Sequence, residues 1–210
     1  MTEQEGVIKY NLRYRQGDAL LDHDYADLDY WHQQFKTAKI LGQDPDRYHG
    51  LGFGNLSQRL DGQSFIISGT QTGALDKLLP EHYARVIAAD ISQNLIEAVG
   101  PVKPSSESLT HAAIYALHDR IKFVFHGHSP DIWNARARLG IPETDEAIAY
   151  GTPDMAIEMQ ALYDAGGFDK DKLLAMAGHE DGIIGFGFSA AEAGDVILRY
   201  LHLARIDTER

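Results

Sequence analysis

Residues 121–130, Ile-Lys-Phe-Val-Phe-His-Gly-His-Ser-Pro, restrict the possible folds more than any other stretch of the chain. Ile121, Phe123 and Phe125 alternate with Lys122 and Val124, the period-two pattern of a buried strand, and the histidines follow where the strand is expected to run out. Residues two apart on an extended chain face the same way, so His126 and His128 can aim both imidazoles at one point, with Gly127 leaving room for it to be filled. A divalent metal suits that point. Two satisfied surface histidines give the same tripeptide, so the remainder of the chain has to decide.

Residues 1–20 show no clear period and are expected to form an irregular N-terminal arm, ending at residue 21. Over residues 22–41, Tyr25, Leu28, Trp31, Phe35, Ala38 and Leu41 recur at three- and four-residue steps, predicting an amphipathic helix with Asp22 or Asp24 as N-cap and Gly42 as terminator. Its His23 and His32 are expected to be solvated or packed. The glycine-rich residues 50–54 then feed a hairpin, with Leu56, Gln58 and Leu60 alternating up to the Asp61-Gly62 turn and Ser64 to Ser68 returning. Two small-residue loops, around Gly54-Asn55 and from Ser68 to Gly73, offer backbone N–H groups and short donors suited to an anion or a sugar hydroxyl, as well as to an ordinary turn. Residues 86–99 are expected to form strand, turn and strand. After Lys103-Pro104, Ser105 and Ser106 precede a short helix with Glu107 in its first turn, where a carboxylate favours the helix dipole. Ser129-Pro130-Asp131 and Thr152-Pro153-Asp154 begin two further helices, and Ser189 with Glu192 marks a capping box for the last. Between them, Leu173 to Ala177 is a strand-length apolar run leading to Gly178-His179, a second histidine at a strand exit.

Composition narrows the chemistry. No cysteine is present, so a metal would be held by histidine and carboxylate. The formal net charge of −12 opposes nucleic-acid binding, which needs clustered Lys and Arg to neutralise phosphates. No apolar run reaches the length of a membrane span and the N-terminus is acidic, so a cytoplasmic location is expected with no membrane partner. The 210 residues suit one core. A catalytic zinc site wants three protein ligands and an open fourth position, and His126, His128 and His179 would supply the three.

In this order the motifs resemble the class II aldolase/adducin family, whose best-known members are fuculose-phosphate and ribulose-phosphate aldolases and epimerases. The matching stretches are Gly54-Asn55-Leu56-Ser57, the Thr/Ser-Gly loop, Lys103-Pro104-Ser105-Ser106-Glu107 with His111, His126-Gly127-His128 and Gly178-His179. The resemblance implies an α/β fold: a single domain over residues 22–210 with a mostly antiparallel central sheet flanked by helices, assembled as a homotetramer. It implies Zn2+, or another divalent metal such as Mn2+, Co2+ or Fe2+, on His126, His128 and His179, with Glu107 as catalytic acid/base. Gly54, Asn55, Thr72, Gly73, Ser105 and Ser106 match positions that cradle the substrate phosphate in the resembling aldolases. Three departures stand out. The loop after Ile67 lacks the usual proline, Glu180 and Asp181 follow the third histidine where glycine is usual, and Ala147 stands where the aldolases carry a tyrosine, with Tyr150 three residues on. The reading is a metal-dependent lyase of the aldolase type that cleaves a small sugar-derived hydroxy-carbonyl compound, phosphorylated or not, through a metal-stabilised enediolate. Epimerisation, dehydration and decarboxylation at the same site stay open, as does a non-catalytic adducin-type scaffold.

Overall fold

The computed structural model describes residues 6–206. Eight strands make the main sheet: β1 (Asn11–Gln16), β4 (Asn55–Arg59), β5 (Phe65–Ser68), β6 (Tyr83–Asp90), β7 (Leu95–Gly100), β8 (Phe123–His128), β9 (Leu173–Ala175) and β10 (Gly182–Gly187). Two short strands, β2 (Gly42–Gln43) and β3 (Gly52–Phe53), pair as a separate ribbon. In space the sheet runs β1-β7-β6-β5-β4-β8-β10-β9, antiparallel throughout except for the parallel pair β1 and β7. Five helices cover it: α1 (Ala26–Thr37), α2 (Ser108–Leu117), α3 (Pro130–Leu139), α4 (Pro153–Asp164) and α5 (Ala190–Ile206).

Side-chain parity decides which helix meets which face. Phe123 and Phe125 of β8 point into a core formed with Leu28 and Phe35 of α1, Ile132 of α3 and Ile197 of α5. Val124, one residue out of phase, joins the opposite core with Leu109 and Ile114 of α2 and Met155 of α4. Every residue of β8 is therefore buried, as expected of a strand covered on both sides.

Several expectations need correction. Residues 11–16 are not irregular: they add β1 to the sheet edge beside β7, where one face is wet and only Leu12 and Tyr14 are partly covered, leaving a weak apolar signal. The expected arm and domain also reach residues 1–5 and 207–210, outside the described residues. The first helix is shorter at both ends, running from Ala26 to Thr37. Asp24 still accepts the Ala26 N–H at 2.9 Å, but Lys39 turns left-handed at φ 59° and ends the helix before Gly42, which enters β2. Both histidines of the central motif lie within β8 and not beyond it. Ile121 precedes that strand and joins the core opposite to that of Phe123. Glu107 is the N-cap residue of α2 and not part of its first turn. The starts of α3 and α4 agree with the sequence: Ser129 and Thr152 accept the N–H groups of Ile132 and Met155.

Candidate metal centre

Because Phe125 points to the α1/α3/α5 side, His126 and His128 project towards the α2 side, where Glu107 begins the helix. In register, His126 lies opposite Asn55 of β4 and Ile184 of β10, and His128 opposite Gly182. Gly127 serves the other face. A Cβ there would lie 2.2 Å from Ile40 Cγ2, so its missing side chain admits Ile40 and not a metal, a correction to the sequence expectation. The Ile40 carbonyl also accepts the His128 N–H at 2.8 Å. His179 sits in the tight connection from β9 to β10, where Met176 accepts its N–H at 3.0 Å. Two glycines frame it. A Cβ on Gly178 would strike the carbonyls of Ile148 and Glu146, and one on Gly182 would strike the His179 ring itself.

The three histidines converge, with one ligand nitrogen from each lying within 4.8 Å of the other two. All are buried, as is Glu107, whose Oε1 lies 3.6 Å from His179 Nε2 and 3.9 Å from His126 Nε2. His126 Nδ1 is 3.0 Å from the Ile183 carbonyl, which can only accept. The neutral ring must therefore carry its proton on Nδ1 and turn a lone pair inward from Nε2. Burial is the main cause holding His126 and His128 well below the ordinary histidine range, and the neighbouring His179 adds to it. Neutral imidazoles are the form that ligates, so the donor set fits a divalent cation. Behind the centre, His111 Nδ1 meets Ser57 Oγ at 2.7 Å and Ser57 meets the Tyr115 hydroxyl at 2.7 Å, a buried chain consistent with a structural role for His111.

His128 and His179 also form one wall of a cleft of about 830 Å³ whose other walls include Tyr48, Trp133, Glu146 and Glu180. Sequence reasoning missed Tyr48. Its ring stands edge-on to His128 with centroids 4.5 Å apart, and its hydroxyl donates to Asp181 Oδ2 at 2.7 Å while accepting from Arg47 at 2.7 Å. Burial, then the bond to Asp181, raises this hydroxyl above the ordinary tyrosine range. The charge expected after His179 is thus partly engaged by Tyr48. No local sequence signal joins residues 48 and 181. Ala147 lines the same cleft. Tyr150 is fully buried, its ring 4.6 Å from that of His179 and its hydroxyl bonded to both polar groups of the Val7 backbone, so it anchors the N-terminal segment. The six small residues, Gly54, Asn55, Thr72, Gly73, Ser105 and Ser106, meet around a separate space of only about 10 Å³. A further cavity of about 570 Å³, beside Arg59 and Tyr115, contains none of the expected site residues. Among the described residues no helix is long and apolar enough to cross a membrane.

Residues 44–208 match the family model described as class II aldolase and adducin N-terminal domain. In fold, the chain is similar to the L-fuculose-1-phosphate aldolase of Thermus thermophilus, with a TM-score of 0.65 and 15% identity over 88% of this chain and 92% of that one. YgbL of Escherichia coli, provisionally described as an aldolase/epimerase/decarboxylase, gives 0.62 at 18% identity over 86% of each chain. The N-terminal class II aldolase domain of a conserved protein from Thermoplasma acidophilum gives 0.58 at 16% identity over 94% of this chain and 99% of that one. No curated protein sequence matches. At these identities the structural likeness is one of fold.

Proposed function

This chain belongs to the class II aldolase and adducin family, and on that premise we propose that it is a metal-dependent aldehyde-lyase cleaving a small sugar-derived hydroxy-carbonyl compound. The observation that carries the reading is the convergence of three buried histidines beside a buried carboxylate at the wall of an open cleft. A non-catalytic scaffold has no use for that set. Zn2+ or another divalent ion on His126, His128 and His179 would supply Lewis-acid stabilisation of negative charge on adjacent substrate oxygens.

The chain's own groups do the rest. Glu107 gives and takes the proton at the donor carbon, its carboxylate carried on the N-cap residue of α2 and shielded from water. Tyr48 takes the proton of the carbinol hydroxyl that becomes the aldehyde carbonyl, passing its own O–H proton to Asp181 while Arg47 faces its oxygen, whereas Ala147 has no proton to exchange. Trp133 braces the connection that carries His179, its Nε1 donating to the Met176 carbonyl at 3.1 Å. A homotetramer in the cytoplasm completes the proposal, on the strength of family membership.

The test joins elemental analysis with one substitution. We expect one divalent ion per chain, lost on His128→Ala. Glu107→Gln keeps shape while removing the base, so turnover should fall by about two orders of magnitude or more with fold and metal retained. A metal-free protein, or full activity of Glu107→Gln, would overturn the reading.

A further inference from the structure

Small residues around a loop and a helix start form an anion site only if they leave a space, and here the chain has filled its own. The space bounded by Gly54, Asn55, Thr72, Gly73, Ser105 and Ser106, about 10 Å³, holds roughly one water. Gln71, exposed on its outer side, lies over its edge. Its Oε1 accepts the Gly52 N–H at 3.0 Å, taking a donor an anion would need, and its Nε2 would lie 2.3 Å from a Cβ on Gly6. The N-terminal segment is held across the opening. Val7 is bonded to Tyr150 through both backbone groups, and the Tyr10 hydroxyl donates to the Ser105 carbonyl at 2.7 Å. The far wall cannot retreat, because Gly73 packs so closely on β2 that a Cβ there would lie 2.2 Å from the Gly42 carbonyl oxygen.

Charge argues the same way. Among the described residues lining this space none is Lys or Arg. The roomy cleft at His128 and His179 is lined by Asp46, Glu146 and Glu180, and its neighbour Arg47 is engaged by the Tyr48 hydroxyl and the Lys39 carbonyl. A dianionic tail would find no room in the first space and like charge in the second.

We propose that the substrate carries no phosphate: Gln71, backed by residues 6–10, closes the small-residue cradle to anions, and the distal end of a neutral hydroxy-carbonyl compound lies in the cleft beside Tyr48 and Trp133. This rests on the lyase reading for its substrate, but the closure of the cradle stands apart from the metal. Gln71 has a left-handed backbone, φ 58°, so Gln71→Gly removes the plug at a position glycine accepts without strain.

The experiment titrates inorganic phosphate into the wild-type chain and Gln71→Gly by calorimetry, with metal content measured on the same samples. The wild type should show no saturable binding up to about 10 mM, and Gln71→Gly should bind at least about tenfold more tightly than that limit. With metal bound, the wild type should take glycolohydroxamate and its phosphate ester within about threefold of each other, and Gln71→Gly should gain about tenfold for the ester alone. Millimolar phosphate binding by the wild type, or a tenfold preference of the wild type for the ester, would overturn the proposal, and so would the absence of any gain in Gln71→Gly. If neither hydroxamate binds in a sample loaded with metal, the lyase reading fails, and the phosphate titration still decides the state of the cradle.

Discussion

Substituting alanine for Gly127 places one methyl group on the face of β8 opposite the histidines, which makes it a test of how the centre is held. The new Cβ would lie 2.2 Å from Ile40 Cγ2 and 3.0 Å from its carbonyl oxygen, against ordinary contact at 3.4 Å or more, so the side chain must withdraw by more than 1 Å. Ile40 is 1% exposed within the α1-side core and has little free space to withdraw into. Overpacking of this kind costs about 1–3 kcal/mol, and losing the bond from the His128 N–H to the Ile40 carbonyl adds about 1 kcal/mol, so we expect a loss of about 2–4 kcal/mol. For a domain of this size that lowers Tm by roughly 5–15 °C. Thermal and urea unfolding of metal-free protein would measure it without ligand linkage. Ile40→Ala alone should cost about 2–5 kcal/mol through the cavity it leaves, and the double variant should cost less than the sum by about 1 kcal/mol or more, since each change relieves the other. An unchanged midpoint for Gly127→Ala, or strict additivity in the double variant, would refute the account of this glycine.

Tyr48→Phe should lower carbon–carbon cleavage by about tenfold to a hundredfold while leaving proton exchange at the donor carbon, followed by solvent deuterium uptake, near wild type; equal loss of both would remove Tyr48 as the group that moves the carbinol proton. His32 is fully buried with neither ring nitrogen hydrogen-bonded, and burial lowers its pKa from 6.5 to about 4. The unfolded chain therefore binds a proton there that the folded chain refuses, so stability is full above pH 6.5 and falls by up to about 3 kcal/mol as pH drops towards 4. His32→Phe should flatten that slope by about one proton in urea unfolding compared at pH 4.5 and 7, and an unchanged slope would contradict the burial argument. Tyr150→Phe keeps the ring against His179 but removes both bonds to Val7, so amide exchange over residues 6–10 should speed up by the equivalent of about 1–2 kcal/mol with the sheet amides unaffected.

What the sequence revealed and what it hid divide by the range of the interactions. The helix starts at Ser129 and Thr152 are settled within three residues, by a side chain reaching its own backbone, and both are legible. So is the parity that sends His126 and His128 to one side of β8, a property of any extended chain. Strand β1 was hidden because an edge strand beside a parallel neighbour needs little apolar surface of its own. The bond between Tyr48 and Asp181 spans 133 positions and has no local signature.

Glycine is where local reading misleads most, because the volume it vacates has no label for who will use it. Gly127 between His126 and His128 invites the inference that its space belongs to a metal, yet Ile40 uses it from the opposite face. Gly178 and Gly182 likewise give way to backbone carbonyls and to His179 itself, so the third histidine is held by close packing of the chain around it. Gly73 makes way for the Gly42 carbonyl, and the loop it belongs to lays the exposed Gln71 against the Gly52 N–H. At each of these positions the missing side chain tightens the protein against itself. The histidine centre gains rigidity from this, since side chains pinned by backbone contacts keep their geometry. The small-residue cradle, built by the same device, closes, and a motif that reads in sequence as a place for an anion becomes a packed wall.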